Sequence, residues 1–218
     1  MTPPPTSHRQ TSLQQTLSRQ AWALIHHRYI LWLALAIPAW PLVLEVLFDD
    51  QHYPQLMHTT GTFSAHLLVI SLAITPLRYL CKSWSSTTPV IPVVMWLMAR
   101  RRYFGVASFI YAGLHTLLYL HDTWDFEEVL IHAVRPEMLI GWIGFFILLP
   151  LALTSNHTAV QQLGRWWKTL QRFAHLAALC VFLHWILFDF LLTEVLSWFS
   201  VLLILQIYRI YRQRFSDR

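Results

Sequence analysis

Charge is scarce in this chain. Charged residues make up 12% of the 218 positions and hydrophobic residues 56%, whereas soluble globular domains usually carry about a quarter charged. The deficit excludes an ordinary water-soluble domain, so the solvent is lipid. Cysteine is nearly missing too: Cys81 and Cys180 are the only two. They are expected at different membrane depths, so no disulfide framework is read here. A Gly-rich phosphate loop, a metalloprotease His motif and a nucleophile elbow are all absent, which argues against a self-contained NAD-binding domain or hydrolase. No internal repeat suggests a transporter built from inverted halves. Near the N-terminus neither the apolar core nor the small-residue cleavage site of a signal peptide is found.

What is present is a series of apolar blocks, Tyr29–Phe48, Phe63–Leu80, Tyr103–Leu120, Met138–Thr154, Phe173–Leu187 and Phe190–Tyr208. Each is close to the ~20 residues that cross a hydrocarbon core of ~30 Å. The fifth is the shortest and extends at its polar end through Trp166, Trp167 and Leu170 to begin near position 170. Basic residues sort to one side of these blocks. With the N-terminus in the cytoplasm, Arg78, Lys82, Arg100, Arg101, Arg102, Arg165, Lys168, Arg172, Arg209, Arg212 and Arg214 fall inside with both tails, and only Arg135 falls outside. Among the acids only Asp217 is inside. Because Lys and Arg are retained on the cytoplasmic face, the expected fold is an all-α membrane protein. It is a bundle of six transmembrane helices with both termini cytoplasmic. The net charge of +5 is then a topology code rather than a nucleic-acid signal, and the acidic outer face could attract a basic partner.

Residues 1–20, with Pro3–Pro5 and a Ser/Thr/Gln-rich run, have a composition that buries too little surface to order itself and read as a cytoplasmic tail. The membrane domain would occupy 21–212, and 213–218 a second tail. Between the second and third blocks, Ser83–Ala99 is interrupted by Pro89 and Pro92 and is expected to lie at the interface, anchored by Trp84 and Trp96. The outer loop from Asp122 to Arg135 is acidic and carries His121, Trp124 and His132, a surface suited to a soluble partner.

Ionisable groups at membrane depth are costly and are functional candidates by default. Four histidines qualify: His66, His115, His175 and His184. A six-coordinate haem iron held by the protein needs two imidazoles facing each other at one depth. With no Cys-x-x-Cys-His attachment motif, such a haem would be non-covalent, of the b type. At 1.5 Å of rise per residue, His115 lies roughly 18 Å above the inner end of its block and His184 roughly 16 Å above the inner end of one running the same way. The two match, which makes them the preferred axial pair. His175 lies about 13 Å closer to the cytoplasm and is the candidate for a second haem, but no histidine of the third block stands opposite it. His66 sits nearer the outer face, at the height of His121. Both are candidates for a quinone or proton site. A lone intramembrane histidine is more often a helix-to-helix hydrogen-bonding residue than a ligand, and that bland account applies to His66 and His175 more than to the matched pair.

Several stretches resemble the MsrQ (YedZ) family, the haem-binding membrane subunits of the periplasmic methionine sulfoxide reductase system, within the ferric reductase-like transmembrane group. They are Thr60-Gly61 with Leu72-Ala73-Ile74-Thr75-Pro76-Leu77, Arg101-Arg102-Tyr103-Phe104-Gly105 leading to Leu114-His115, and Arg135-Pro136 through Gly141 to Leu151-Ala152-Leu153-Thr154-Ser155. Leu163-Gly164-Arg165 with Trp167 and His184 completes the set. The resemblance covers roughly 60–188. It implies a haem b held by His115 and His184, with FMN as a further family cofactor. Electrons would come from the quinone pool or a cytoplasmic flavin reductase and go to a periplasmic molybdopterin-dependent methionine sulfoxide reductase. The place would be the bacterial inner membrane. Where the family usually has another histidine this chain has Gln171, and His175 follows one turn later.

Two other classes of function compete. A ferric reductase or cytochrome b561-like carrier would use the same haem with a different acceptor. A transporter or membrane scaffold would use the histidines for structure or protons and would be colourless. The Arg100–Arg102 cluster is expected to be a topology determinant, with a cofactor phosphate as its less favoured use.

Overall fold

The computed structural model describes residues 28–40, 44, 53–84, 90–123, 125–188 and 192–215, and these contain helices and turns without a strand. The chain divides into two units, Met1–Phe48 and Asp49–Arg218. In the first, helix α1 covers Arg28–Ala36. The first expected span, at 29–48, continues past it, and most of its second half lies outside the described residues, as do the tail at 1–20 and residues 216–218; positions 213–215, expected to open the second tail, instead end the helix Leu192–Phe215. The second unit holds α2 (Tyr53–Trp84), α3 (Val90–Thr123), α4 (Phe126–Ala133), α5 (Pro136–Leu153), α6 (His157–Leu163), α7 (Arg165–Arg172), α8 (Ala174–Phe188) and α9 (Leu192–Phe215). Among the described residues five helical stretches are long and apolar enough to cross a membrane, at Pro54–Lys82, Val90–Thr123, Pro136–Leu153, Arg165–Phe188 and Leu192–Phe215.

Two helices are more than ten residues longer than their apolar blocks. α2 begins at Tyr53, ten residues before Phe63, because hydropathy marks where lipid ends and not where backbone hydrogen bonding ends. α3 absorbs residues 90–99, which were expected to form a separate interfacial segment. Pro92 falls in its first turn, where the backbone N–H has no intrahelical acceptor to lose. At 34 residues α3 is ~51 Å long, so it passes well beyond a hydrocarbon core of ~30 Å. The expected extension of the fifth span is present as α7, which meets α8 through one turn residue, Phe173.

The contacts between helices set their directions. Met57 meets His115, Ser64 meets Ser108 and Thr75 meets Arg101, so α2 and α3 are antiparallel. The same reversal pairs α5 with α8. Leu72 with Gln206 and Tyr79 with Gln213 keep a common separation, so α2 and α9 run parallel. A buried cluster of Leu68, Val69, Leu72, Leu148, Leu151, Ala177, Ala178 and Leu202 joins α2, α5, α8 and α9.

Without a hydrophobic force between helices in lipid, close packing and interhelical hydrogen bonds hold the bundle. Ser64 and Ser108 supply a reciprocal pair: each hydroxyl donates to the other residue's carbonyl at 2.9 Å, both buried. Pro76 in α2 has no N–H and frees the carbonyl of Leu72 one turn earlier. Gln206 Nε2 of α9 donates to that oxygen at 3.1 Å, repairing the break from a neighbouring helix. The outward faces are apolar, with Ile110, Phe146 and Leu203 each more than half exposed, as suits a lipid contact.

Candidate functional site: two facing imidazoles

α2, α3, α5 and α8 surround a cavity of about 610 Å³, within the ~300–1,000 Å³ usual for cofactor sites. His115 of α3 and His184 of α8 both line it, with ring centroids 6.3 Å apart and planes at 85°. Two imidazoles bound to opposite sides of one metal ion, at ~2 Å each, put their centroids roughly 6 Å apart.

Each ring is fixed in the same way. His115 Nδ1 lies 2.8 Å from the Met57 carbonyl, and His184 Nδ1 lies 2.7 Å from the Glu137 carbonyl. A carbonyl only accepts, so Nδ1 carries the proton in both, and Nε2 is left with the lone pair a metal requires. Met57 and Glu137 are four residues before Gly61 and Gly141, so each histidine lies over the helical turn that ends in a glycine. A Cβ on Gly61 would stand 3.1 Å from His115 Nδ1, and one on Gly141 would stand 2.7 Å from both Cε1 and Nδ1 of His184. These two glycines make the close approach of ring to helix backbone.

The walls are mainly apolar, with Leu148, Val181, Trp185 and Phe188 among the lining residues. Tyr119 Oη and Thr62 Oγ1, also lining it, are buried without a hydrogen-bond partner among the described residues. They are donors available to a ligand with acceptor groups. At the end of the cavity reached by the last turn of α3 stand Asp122, Glu128 and His132. α4, which carries the last two, is started by the Asp125 carboxylate accepting from the Glu127 N–H at 2.9 Å. An apolar slot with two opposed imidazoles and a few polar groups fits a planar metal macrocycle. His115 and His184 would hold it, and no cluster of three or more His, Cys, Asp or Glu suited to a bare metal ion occurs among the described residues.

The other sequence candidates lie elsewhere. His175 is exposed; its Nδ1 is 3.1 Å from the Arg172 carbonyl, and Gln206, Arg209 and Arg101 are the groups around it. Gln171 donates to the Leu151 carbonyl at 3.1 Å and Thr154 Oγ1 at 3.4 Å, closing the C-terminal turn of α5. His66 is outside the cavity lining, between α8 and α9. Its ring is 4.2 Å from that of Trp198 and 5.6 Å from that of Trp185, and its Nε2 is 3.4 Å from Glu194 Oε1. That Nε2 is buried, and its approach to Glu194 is an ion-pair distance without hydrogen-bond geometry. His121 is exposed in the last turn of α3 and does not line the cavity. Sequence reasoning missed His58, which does, because the second span was started at Phe63. Continuing the helix backward from Gly61 would have brought it onto the wall.

Comparison with known proteins bears on the family. The model of the ferric reductase like transmembrane component family matches residues 60–183. Among curated relatives, the protein-methionine-sulfoxide reductase heme-binding subunit MsrQ of Herminiimonas arsenicoxydans is 33% identical over 72% of this chain and 70% of its own length. The subunit of the same name from Ralstonia nicotianae is 30% identical over 72% and 71%. That from Azospira oryzae is 32% identical over 58% of this chain, a match spanning 51% of the relative. No solved structure matches.

Proposed function

The chain belongs to the ferric reductase-like transmembrane family, among the MsrQ subunits, and from that premise we propose that it is a haem b electron-transfer subunit of a methionine sulfoxide reductase system. His115 and His184 are the axial ligands. The observation that carries this is the facing pair itself, 6.3 Å between centroids, with both Nδ1 protons committed to backbone carbonyls. Bound there, haem supplies one-electron chemistry at its iron, with a potential set by ligands and burial.

The protein contributes position and insulation. The carbonyls of Met57 and Glu137 fix ring orientation and tautomer, the apolar walls exclude water, and Tyr119 and Thr62 offer hydroxyls to the group's polar edge. The charge distribution supports the proposed orientation, with both termini in the cytoplasm of a bacterium and the cavity end with Asp122 and Glu128 facing the periplasm. Quinol or a cytoplasmic flavin reductase, with FMN as an additional carrier, is the donor, and a periplasmic molybdopterin-dependent methionine sulfoxide reductase is the acceptor. On the quinol route His66, beside Glu194, is the proton acceptor. One haem is proposed, since Gln206, Arg209 and Arg101 stand around His175 where a second imidazole would be needed.

Inverted membrane vesicles bearing this chain and the periplasmic reductase, supplied with quinol or with NADH and a flavin reductase, provide the test. Methionine sulfoxide should be reduced at the expense of donor, and vesicles with His184→Ala should lose that coupling. Equal reduction without this chain would contradict the proposal.

A further inference from the structure

At the end of the bundle away from Asp122 and Glu128, two arginines stand together without an acid. Arg101 of α3 and Arg209 of α9 lie within electrostatic reach of each other, and both reach His175 of α8. Their hydrogen-bond partners are neutral. Arg101 Nη1 donates to Thr75 Oγ1 at 3.2 Å and Arg209 Nη1 donates to Gln206 Oε1 at 3.3 Å. Neither is paired with a carboxylate among the described residues. Arg209 Nε is buried with no hydrogen-bond partner among the described residues, and the Gln206 amide cannot turn to serve it because its Nε2 is held by the Leu72 carbonyl.

Each guanidinium offers five donors in a planar fork, so one bond each leaves most of them for something else. Two like charges in a partly desolvated setting repel each other, and arginines within membrane spans normally face a partner or a water-filled space. The level is informative as well. Arg101 is 22 residues before Thr123, ~33 Å along α3, about one hydrocarbon thickness from the opposite end. That puts the pair at the headgroups of the leaflet that the charge pattern marks as cytoplasmic.

We propose that Arg101 and Arg209, with His175 at the edge, form a binding site for a phosphate group. Phosphate oxygens match paired guanidinium forks, and the group is carried either by an anionic phospholipid or by free phosphate. The Gln206 amide ties the site to the helix break at Pro76, so occupancy braces α2 against α9. The site does not depend on the haem reading, because none of its residues lines the cavity.

Thermal unfolding of the delipidated full-length chain in detergent, with phosphatidylglycerol, phosphatidylcholine or inorganic phosphate added, tests it. Phosphatidylglycerol should raise the midpoint, phosphatidylcholine should not, and Arg101→Gln with Arg209→Gln should weaken the response about tenfold or more. Arg214→Gln, at the exposed end of α9, should leave it unchanged. An equal rise with inorganic phosphate identifies the free anion as occupant, and a rise with phosphatidylglycerol alone identifies the lipid. Where the double variant does not fold, Arg209→Lys carries the test: it keeps the charge, loses the fork and should bind severalfold more weakly. A wild-type chain indifferent to both phosphate sources, or a variant responding as the wild type does, overturns the proposal.

Discussion

At the scale of single residues, two glycines decide whether the imidazoles can stand where they do. Gly141 is the tighter, since a Cβ there would be 2.7 Å from two ring atoms of His184; at Gly61 the nearest approach is 3.1 Å to His115. Overpacking of this kind costs ~1–3 kcal/mol, and the cheaper escape is for the ring to swing off its carbonyl. Gly141→Ala should therefore lower the haem-to-protein ratio of the purified chain more than Gly61→Ala does, with the polypeptide still inserted. A fully haem-replete Gly141→Ala would show that the ring is not held against α5. His115 and His184 could be paired from sequence because rise per residue converts position into depth. Their anchors could not: Met57 and Glu137 contribute backbone oxygens, 58 and 47 residues away, and a carbonyl has no residue type to read.

At the scale of elements, the linked pair is Pro76 and Gln206. Gln206→Leu leaves the Leu72 carbonyl without its donor at a cost of ~1–3 kcal/mol, which should lower the unfolding midpoint by roughly 2–4 °C per kcal/mol for a chain of this size. Pro76→Ala restores the missing N–H, so the same Gln206→Leu change should cost much less in that background. Equal costs in both backgrounds would separate Gln206 from the helix break. The existence of these helices was legible in the apolar blocks, while their ends were not. Tyr53–Thr62 is too polar to read as a span, yet it forms the outer turns of α2 and brings His58 to the cavity. Pro92 looked like an interruption only because its place in the first turn of α3 depends on where that helix begins. The repair of Pro76 comes from 134 residues downstream, beyond any local pattern.

At the scale of the whole molecule, five helices of the second unit line one cavity, and the paired arginines of the proposed phosphate site stand at the other end of the bundle. Membership of a transmembrane family and five apolar helical stretches make this a multi-pass membrane protein. The membrane-spanning character was legible at once because apolar length reports it. The partner of His66 was not, since Glu194 sits at the start of another helix and meets it only through packing. The central claim is that one haem b lies between His115 and His184, and it is tested most directly by the reduced-minus-oxidised visible spectrum of the purified protein, with haem quantified, beside His115→Ala and His184→Ala. The account predicts one b-type haem per chain, lost in each variant. A colourless wild-type protein from haem-replete cells, or a full spectrum surviving either substitution, would contradict it.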